Sequence, residues 1–197
     1  MTASHSQLSH PLRSQRLNQL THQPHDRLET LVKSHEPFAS RENFARFVAA
    51  QYLFQYDLQN LYNDPRLAQL VDDLPARCRV EAARLDLVDF GVPLPEGDES
   101  IRGRTLGVGA ALAWIFVSEG SKLGAEFLFK KAAALQLDET FGARHLAEPA
   151  GGRAQGWKRF VKVLDGIELD AEQEREAEAA AIEAFERFVV HLERCFA

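Results

Sequence analysis

Two glycines, Gly120 and Gly124, stand four apart inside an otherwise apolar run, Trp114-Ile115-Phe116-Val117-Ser118-Glu119-Gly120-Ser121-Lys122-Leu123-Gly124-Ala125-Glu126-Phe127-Leu128-Phe129. Ile115, Phe116, Leu123, Phe127 and Leu128 recur at helical spacing, and a separation of four puts both glycines on one helix face. Each costs about 1 kcal/mol against alanine in a helix interior. What a missing Cβ offers in return is close approach of the backbone, or a bend. The approaching body is either another helix, in small-xxx-small packing, or a flat ligand lying on bare backbone. For a glycine pair alone, helix packing is the default.

The second residue with chemical potential is His25. Leu28 and Val32 follow it by three and seven, which places His25 on the apolar face of an amphipathic segment. A histidine there is more often a satisfied core residue than a ligand. Glu29, four residues on, reaches the same face. A carboxylate near an imidazole N–H is what a metal-bound histidine requires; the alternative is a solvent-facing charge. Lys130 and Lys131, toward the end of the glycine helix, suit its dipole or would meet the anionic edge of a ligand.

Other chemistries lack their residues. No glycine-rich phosphate loop follows a strand, and no serine sits in a nucleophile elbow. Neither Cys78 nor Cys195 lies in a nucleophile motif, and no Glu-x-x-His pair builds a di-iron carboxylate site. A histidine helix and a glycine-broken helix remain. Together they could sandwich a flat macrocycle, with the histidine as proximal iron ligand and glycine backbone over the other face. Room would be left there for O₂, and peptide groups and water would set its hydrogen bonding.

The elements that must hold these residues read as helices throughout. Leu12 to about Leu20 starts the first, with a kink or a restart at Pro24 for which Thr21 is the cap. Ser40 caps a long helix to about Leu61 carrying Phe44, Phe47, Val48, Leu53, Phe54 and Leu58. Asp64-Pro65 starts a short helix to about Val71, and Pro75 another that ends near Gly91. A loop spans Val92 to Gly103, and Thr105 can cap the central helix, which runs to about Leu135. Asp138 to about His145 reads as a short helix and Arg153 to Leu164 as an amphipathic one. Asp170, with Gln173 three on, caps the last, whose stripe is Phe185, Phe188, Val189 and Leu192. No run alternates at period two. The fold is therefore all-α, one domain of seven to nine helices.

Composition narrows the setting. The chain has 197 residues, 45% of them hydrophobic, enough for one domain with a full core. A net charge of −6 argues against nucleic acid and anionic membranes as main partners. Two cysteines form no disulfide framework and read as reduced thiols of a cytoplasmic protein. No stretch is long and apolar enough for a transmembrane span, and the polar start lacks a signal-peptide core. Residues 1–11 are expected to be a disordered N-terminal tail, and 12–197 the folded domain.

Separate segments carry a resemblance. Ser118-Glu119-Gly120-Ser121-Lys122-Leu123-Gly124-Ala125, together with Pro24-His25-Asp26-Arg27-Leu28-Glu29, resembles the bacterial haem oxygenases. Within them the chain is nearest to the iron-regulated group of pseudomonads. Arg13-Ser14-Gln15-Arg16-Leu17-Asn18, Phe47-Val48-Ala49-Ala50-Gln51-Tyr52-Leu53-Phe54-Gln55 and Gly151-Gly152-Arg153-Ala154-Gln155-Gly156-Trp157-Lys158 are similar too. The resemblance runs from about Leu12 to the C-terminus.

It implies haem, both substrate and cofactor, held between a proximal and a kinked distal helix and cleaved by O₂ to biliverdin, CO and ferrous iron. His25 matches the proximal iron ligand, and Gly120 and Gly124 the distal glycines flanking O₂. Ser118 and Phe116 would lie near the distal pocket. Lys33 and Lys131 match basic positions that seat the haem, Lys131 being favoured for propionate contact. Asn18 and Phe116 stand where other bacterial members carry a Lys and a Tyr that hold the haem for α cleavage, so δ- and β-biliverdin are expected. Ordered water, rather than a side chain, would deliver protons. The family implies a ferredoxin or flavodoxin-type reductase system as electron donor and a monomer, here serving haem-iron acquisition.

Three other readings compete. A non-catalytic haem carrier or sensor would use His25 but has no need of a small-residue wall. A helical relative with another cofactor, thiamine-degrading or di-iron, lacks its residues here. A pure interaction bundle would bury His25 and pack the glycines against helices.

Overall fold

The computed structural model describes residues 11–99 and 101–197; the tail expected over residues 1–11 lies, Pro11 apart, outside them. Among the described residues seven α-helices follow one another: α1 (Arg13–Ser34), α2 (Arg41–Tyr62), α3 (Pro65–Ala68), α4 (Val80–Asp89), α5 (Val108–Ala132), α6 (Arg153–Gly166) and α7 (Ala171–Phe196). Short 3₁₀ turns sit at Leu74–Arg77, Ala133–Leu135 and Arg144–Leu146. The all-α, single-domain reading is borne out.

The caps explain several boundaries. Ser40 accepts the Asn43 N–H at 3.0 Å and starts α2. Asp170 accepts the Glu172 and Gln173 N–H groups at 2.9 Å, while the Gln173 side chain accepts the Asp170 N–H. That reciprocal box satisfies donors the first turn leaves open. Thr105 plays no such part, because α5 begins at Val108 behind Gly107.

Other boundaries differ from expectation for local reasons. The helix expected over 138–145 is a loop, since the Asp138 carboxylate binds the N–H groups of Thr140 and Phe141 and offers the backbone an alternative to helix. The helix begun at Pro75 is interrupted at Cys78, whose backbone is extended. There the Arg79 N–H turns to the Gln55 side chain at 2.9 Å.

Of the kink or restart expected at Pro24, the restart is overturned: α1 runs on as one helix. Pro24 lies inside it, and Thr21 is no cap; its hydroxyl donates to the Leu17 carbonyl at 2.7 Å. Both ends of α1 are tied down. Arg13 and Arg16 pair with Glu174 of α7, and at the far end the His35 ring stacks on Phe196 at 4.4 Å.

The core forms around the first half of α5. Residues Ala110 to Glu119 are all buried, as a helix apolar on every side must be. On α7, Ala177, Ala180, Ala181 and Ala184 present a buried small-residue face. The close approach of these two helices is made at Gly109, where a Cβ would come within 2.7 Å of Leu169 and 3.2 Å of the Gln173 carbonyl. No described helix is long and apolar enough to cross a membrane.

Candidate functional site

Contacts along α7 set the heights of the other helices. Arg13 and Arg16 of α1 reach Glu174 and Glu178, and further on the His25 ring meets Phe185 edge-on at 6.1 Å. Gly109 of α5 lies against Gln173. Helices rise at the same pace, about 1.5 Å per residue. Eleven residues past Gly109, Gly120 is therefore level with α7 near residue 184, and Gly124 is one turn higher. Gly120 thus stands near the height of Phe185, whose ring meets His25, and Gly124 a turn above it. Both α1 and α5 pack on α7 and on α6, so α7 forms the floor between them.

At this level the surfaces are open. His25 is not a core histidine: its side chain is 61% exposed. Leu28 and Val32, which share its face, are only partly buried, so that face reaches the rim of the α7 contact rather than the core. On α5, Phe127 is 61% and Leu123 41% exposed. A Cβ on Gly124 would meet nothing within 4 Å, and one on Gly120 only the Trp157 ring at 3.6 Å, an ordinary contact. No neighbouring helix presses on either glycine. The expected default of helix packing fails for this pair and applies instead to Gly109. Bare backbone, an exposed imidazole and uncovered apolar side chains fit a flat, apolar, iron-bearing ligand.

The remaining expected residues divide by helix face. Asn18, seven before His25, and Glu29, four after it, lie on the His25 face of α1. Asn18 is exposed. Glu29 is bonded to Lys33 at 2.6 Å, and that hydrogen bond holds its carboxyl below the ordinary range. The two residues expected to serve His25 and a propionate separately are paired with each other. Phe116, Phe127 and Lys131 share the glycine face of α5. Phe116 is buried against Trp157, ring centres 5.2 Å apart. The Lys131 ammonium rests over the rings of Phe127 at 4.6 Å and Phe38 at 5.5 Å.

Ser118 requires correction. Two residues before Gly120 at about 100° each, it projects from the opposite side of α5. Fully buried, its hydroxyl receives the Gln55 amide and lies 2.8 Å from the Tyr62 hydroxyl. Its neighbour Glu119 is 4% exposed. Glu119 accepts from Tyr62 at 3.0 Å, Arg77 at 3.0 Å and Lys122 at 2.5 Å. Burial holds the Lys122 ammonium's pKa below its usual value and the Tyr62 hydroxyl's well above its own; the Glu119 charge opposes the first shift and adds to the second. Arg77 also donates to the Gly156 carbonyl at 3.3 Å, which ties the turn before Gly120 to α6. A cavity of about 60 Å³ on this back side, lined by Gln55, Arg79, Lys122 and His145, is too small for a macrocycle.

Sequence reasoning missed what Trp157, Phe185, Tyr62 and Arg77 do. Phe185 was visible only as a stripe residue, and Trp157 only within a segment of the resemblance. Nothing in the spacing of Tyr62 or Arg77 relates them to Glu119, since they come from other elements.

Four matches to known proteins bear on the fold and the family. A profile of the Heme oxygenase family matches residues 12–194. Heme oxygenase PigA of Pseudomonas aeruginosa is 68% identical over 186 residues, 94% of each chain. A Neisseria meningitidis heme oxygenase, solved with NO and CO bound, superposes with a TM-score of 0.88 at 35% identity, covering 95% of this chain and 93% of that one. A heme oxygenase of Leptospira interrogans, at 16% identity, shares the fold with a TM-score of 0.73 over 93% of this chain and all of that one.

Proposed function

The chain belongs to the heme oxygenase family of haem-degrading oxidoreductases, and from this footing we propose that His25 holds the iron of a haem cleaved over Gly120 and Gly124. The observation that carries the reading is the uncovered backbone at Gly124 of α5, with an exposed His25 imidazole on α1, two helices that both pack on α7. When bound and reduced, haem supplies the oxygen chemistry that opens its own ring.

The chain's residues supply the seat. His25 donates an imidazole nitrogen to the iron, a weaker electron donor than a thiolate. Phe185 at the floor and Leu123 and Phe127 on α5 cover apolar ring surface and exclude water. The glycines let peptide backbone approach the reacting edge, so the wall is tight without being filled. Ser118 faces the buried core side of α5, and its part is to anchor the turn before Gly120 through Tyr62 and Gln55. Lys131, on the same stripe, is placed to receive a carboxylate side arm; Lys33 is already engaged by Glu29.

Asn18 and Phe116 bear on how the haem sits in its plane. Neither offers a side chain that binds a propionate strongly, which supports a rotated seat and δ- and β-biliverdin as products. Iron acquisition in the cytoplasm, a ferredoxin- or flavodoxin-type donor and a monomeric chain complete the reading.

Haem titration of the wild type and His25→Ala, followed by reductant under air, tests it. The wild type is expected to give a sharp Soret band that bleaches to a biliverdin spectrum, and the variant to lose or alter that band. Haem that binds through His25 yet survives reductant and O₂ would make the protein a carrier. A product dominated by the α isomer would overturn the rotated seat alone.

A further inference from the structure

The small cavity on the back side of α5 is lined by a histidine that the protein satisfies at one nitrogen only. His145 bonds through Nδ1 to Asp86 at 2.7 Å, and its side chain is 3% exposed. The same Asp86 oxygen accepts the His145 N–H at 2.9 Å, and the other oxygen accepts from Arg144. A carboxylate with every oxygen engaged in this way fixes the ring proton on Nδ1. Nε2 is then a bare acceptor, and it is buried without a hydrogen-bond partner. Asp86 is not part of the cavity lining, whereas His145 is, so the ring presents its Nε2 edge to the cavity. A buried acceptor is costly to leave unpaired, and what fills the cavity must bring a donor.

The other polar groups of the wall are of the opposite kind. Arg79 and Lys122 line the cavity, and Gln51 adds a side-chain amide that bonds to no other described residue. Four cations, Arg77, Arg79, Lys122 and Arg153, are gathered here around one buried carboxylate, Glu119. Arg77 at 3.0 Å and Lys122 at 2.5 Å already take it. Among the described residues Arg79 and Arg153 have no acidic partner; they donate to the carbonyls of Ala147, Leu146 and Lys122. Glu148 accepts the Arg153 backbone N–H rather than its guanidinium, and Glu126 is paired with Lys130. Burial holds Arg79 below its ordinary pKa, and the Arg153 charge adds to that shift. Such a surplus of half-buried cations stands out in a chain of net charge −6, and it is relieved by an anion. The guanidinium fork of Arg79 suits a planar oxyanion. The volume, about 60 Å³, would take about four waters, which is room for a planar anion of four heavy atoms and too little for an organic phosphate.

We propose that this cavity binds a small monovalent oxyanion of the hydrogencarbonate class, its oxygens accepting from Arg79, Lys122 and Gln51 and its single O–H donating to Nε2 of His145. Nitrate matches it in charge, size and planarity but has no O–H. The site depends neither on His25 nor on haem.

The test uses the full haem-free chain in carbonate-free buffer at about pH 8, where a free imidazole is neutral. Hydrogencarbonate is titrated against nitrate at constant ionic strength. Binding is read from the melting temperature and from the nitrogen-15 resonance of His145 Nε2. Hydrogencarbonate at about ten times its Kd should raise the melting temperature by about 3–6 °C and shift the Nε2 resonance saturably. Nitrate should bind about tenfold more weakly. Arg79→Met, which removes a cation of the wall, should abolish both responses. His145→Asn keeps a donor toward Asp86 in the place of Nδ1 and loses the Nε2 acceptor, so it should bind the two anions alike. No saturable response to hydrogencarbonate, equal binding of nitrate by the wild type, or wild-type affinity in Arg79→Met would each overturn the proposal. So would a preference for hydrogencarbonate that survives in His145→Asn. Should Arg79→Met fail to fold, His145→Asn and the wild-type comparison decide by the same criteria.

Discussion

Gly120 and Gly124 cost α5 helix stability without repaying it in helix packing. With open space at Gly124 and an ordinary ring contact at Gly120, an alanine fits at both. Gly120→Ala and Gly124→Ala should each stabilise the ligand-free protein by about 0.5–1 kcal/mol, because alanine has less backbone entropy to lose. Urea unfolding measures this. The same variants should slow haem turnover by about tenfold or more, since a methyl group shifts the reacting edge from the backbone. Weaker folding in both variants would return the pair to a packing role. Gly109 makes the contrast within one helix, for there a Cβ meets Leu169 and the Gln173 carbonyl. His25 teaches the same lesson at a second position. Its spacing from Leu28 and Val32 identified its face, but whether that face lies in the core or at a groove depends on where α7 stops covering it.

Among the elements, α1 shows most clearly how tertiary contacts overrule a local signal. Pro24 reads as a kink or a restart capped by Thr21, and the restart is absent: ion pairs to α7 and a ring stack at the far end hold one continuous helix. The Glu174 carboxyl in this arrangement is held below the ordinary glutamate range, chiefly by its hydrogen bonds from Arg13. A carboxyl whose folded value is depressed stabilises fully above its unfolded value, and that stabilisation is lost as pH falls through the folded one. The α1–α7 contact should therefore weaken on acidification below the ordinary glutamate range. Melting temperatures of the wild type against Glu174→Gln should converge as pH falls through this window. A difference that persists unchanged at the acid end would show that the carboxylate charge contributes nothing. The loop at Asp138 and the interrupted helix at Cys78 fail to match expectation for a related reason: side-chain acceptors compete for backbone N–H groups, and the Gln55 acceptor comes from a distant part of the chain.

At the scale of the molecule, the fold leaves Leu123 and Phe127 of α5 and the His25 imidazole of α1 uncovered. Exposed apolar side chains on one groove bind hydrophobic dyes, and a ligand that fills the groove should displace them. A fluorescent dye such as anilinonaphthalenesulfonate is expected to bind the apoprotein and to be released by one equivalent of haem. Haem at a hundredfold its Kd should raise unfolding stability by about 2.7 kcal/mol. Dye retained at full haem occupancy would place the apolar surface elsewhere. The all-helical class, the long central helix and the caps at Ser40 and Asp170 were legible from the sequence alone, because periodicity and capping are local properties that spacing records. Tertiary structure alone decided that nothing packs on Gly124, that Ser118 and Glu119 turn inward to Tyr62 and Arg77, and that Arg13 pairs with Glu174 of α7. Those outcomes depend on which distant groups are brought within a few ångströms, and chain spacing carries no record of that.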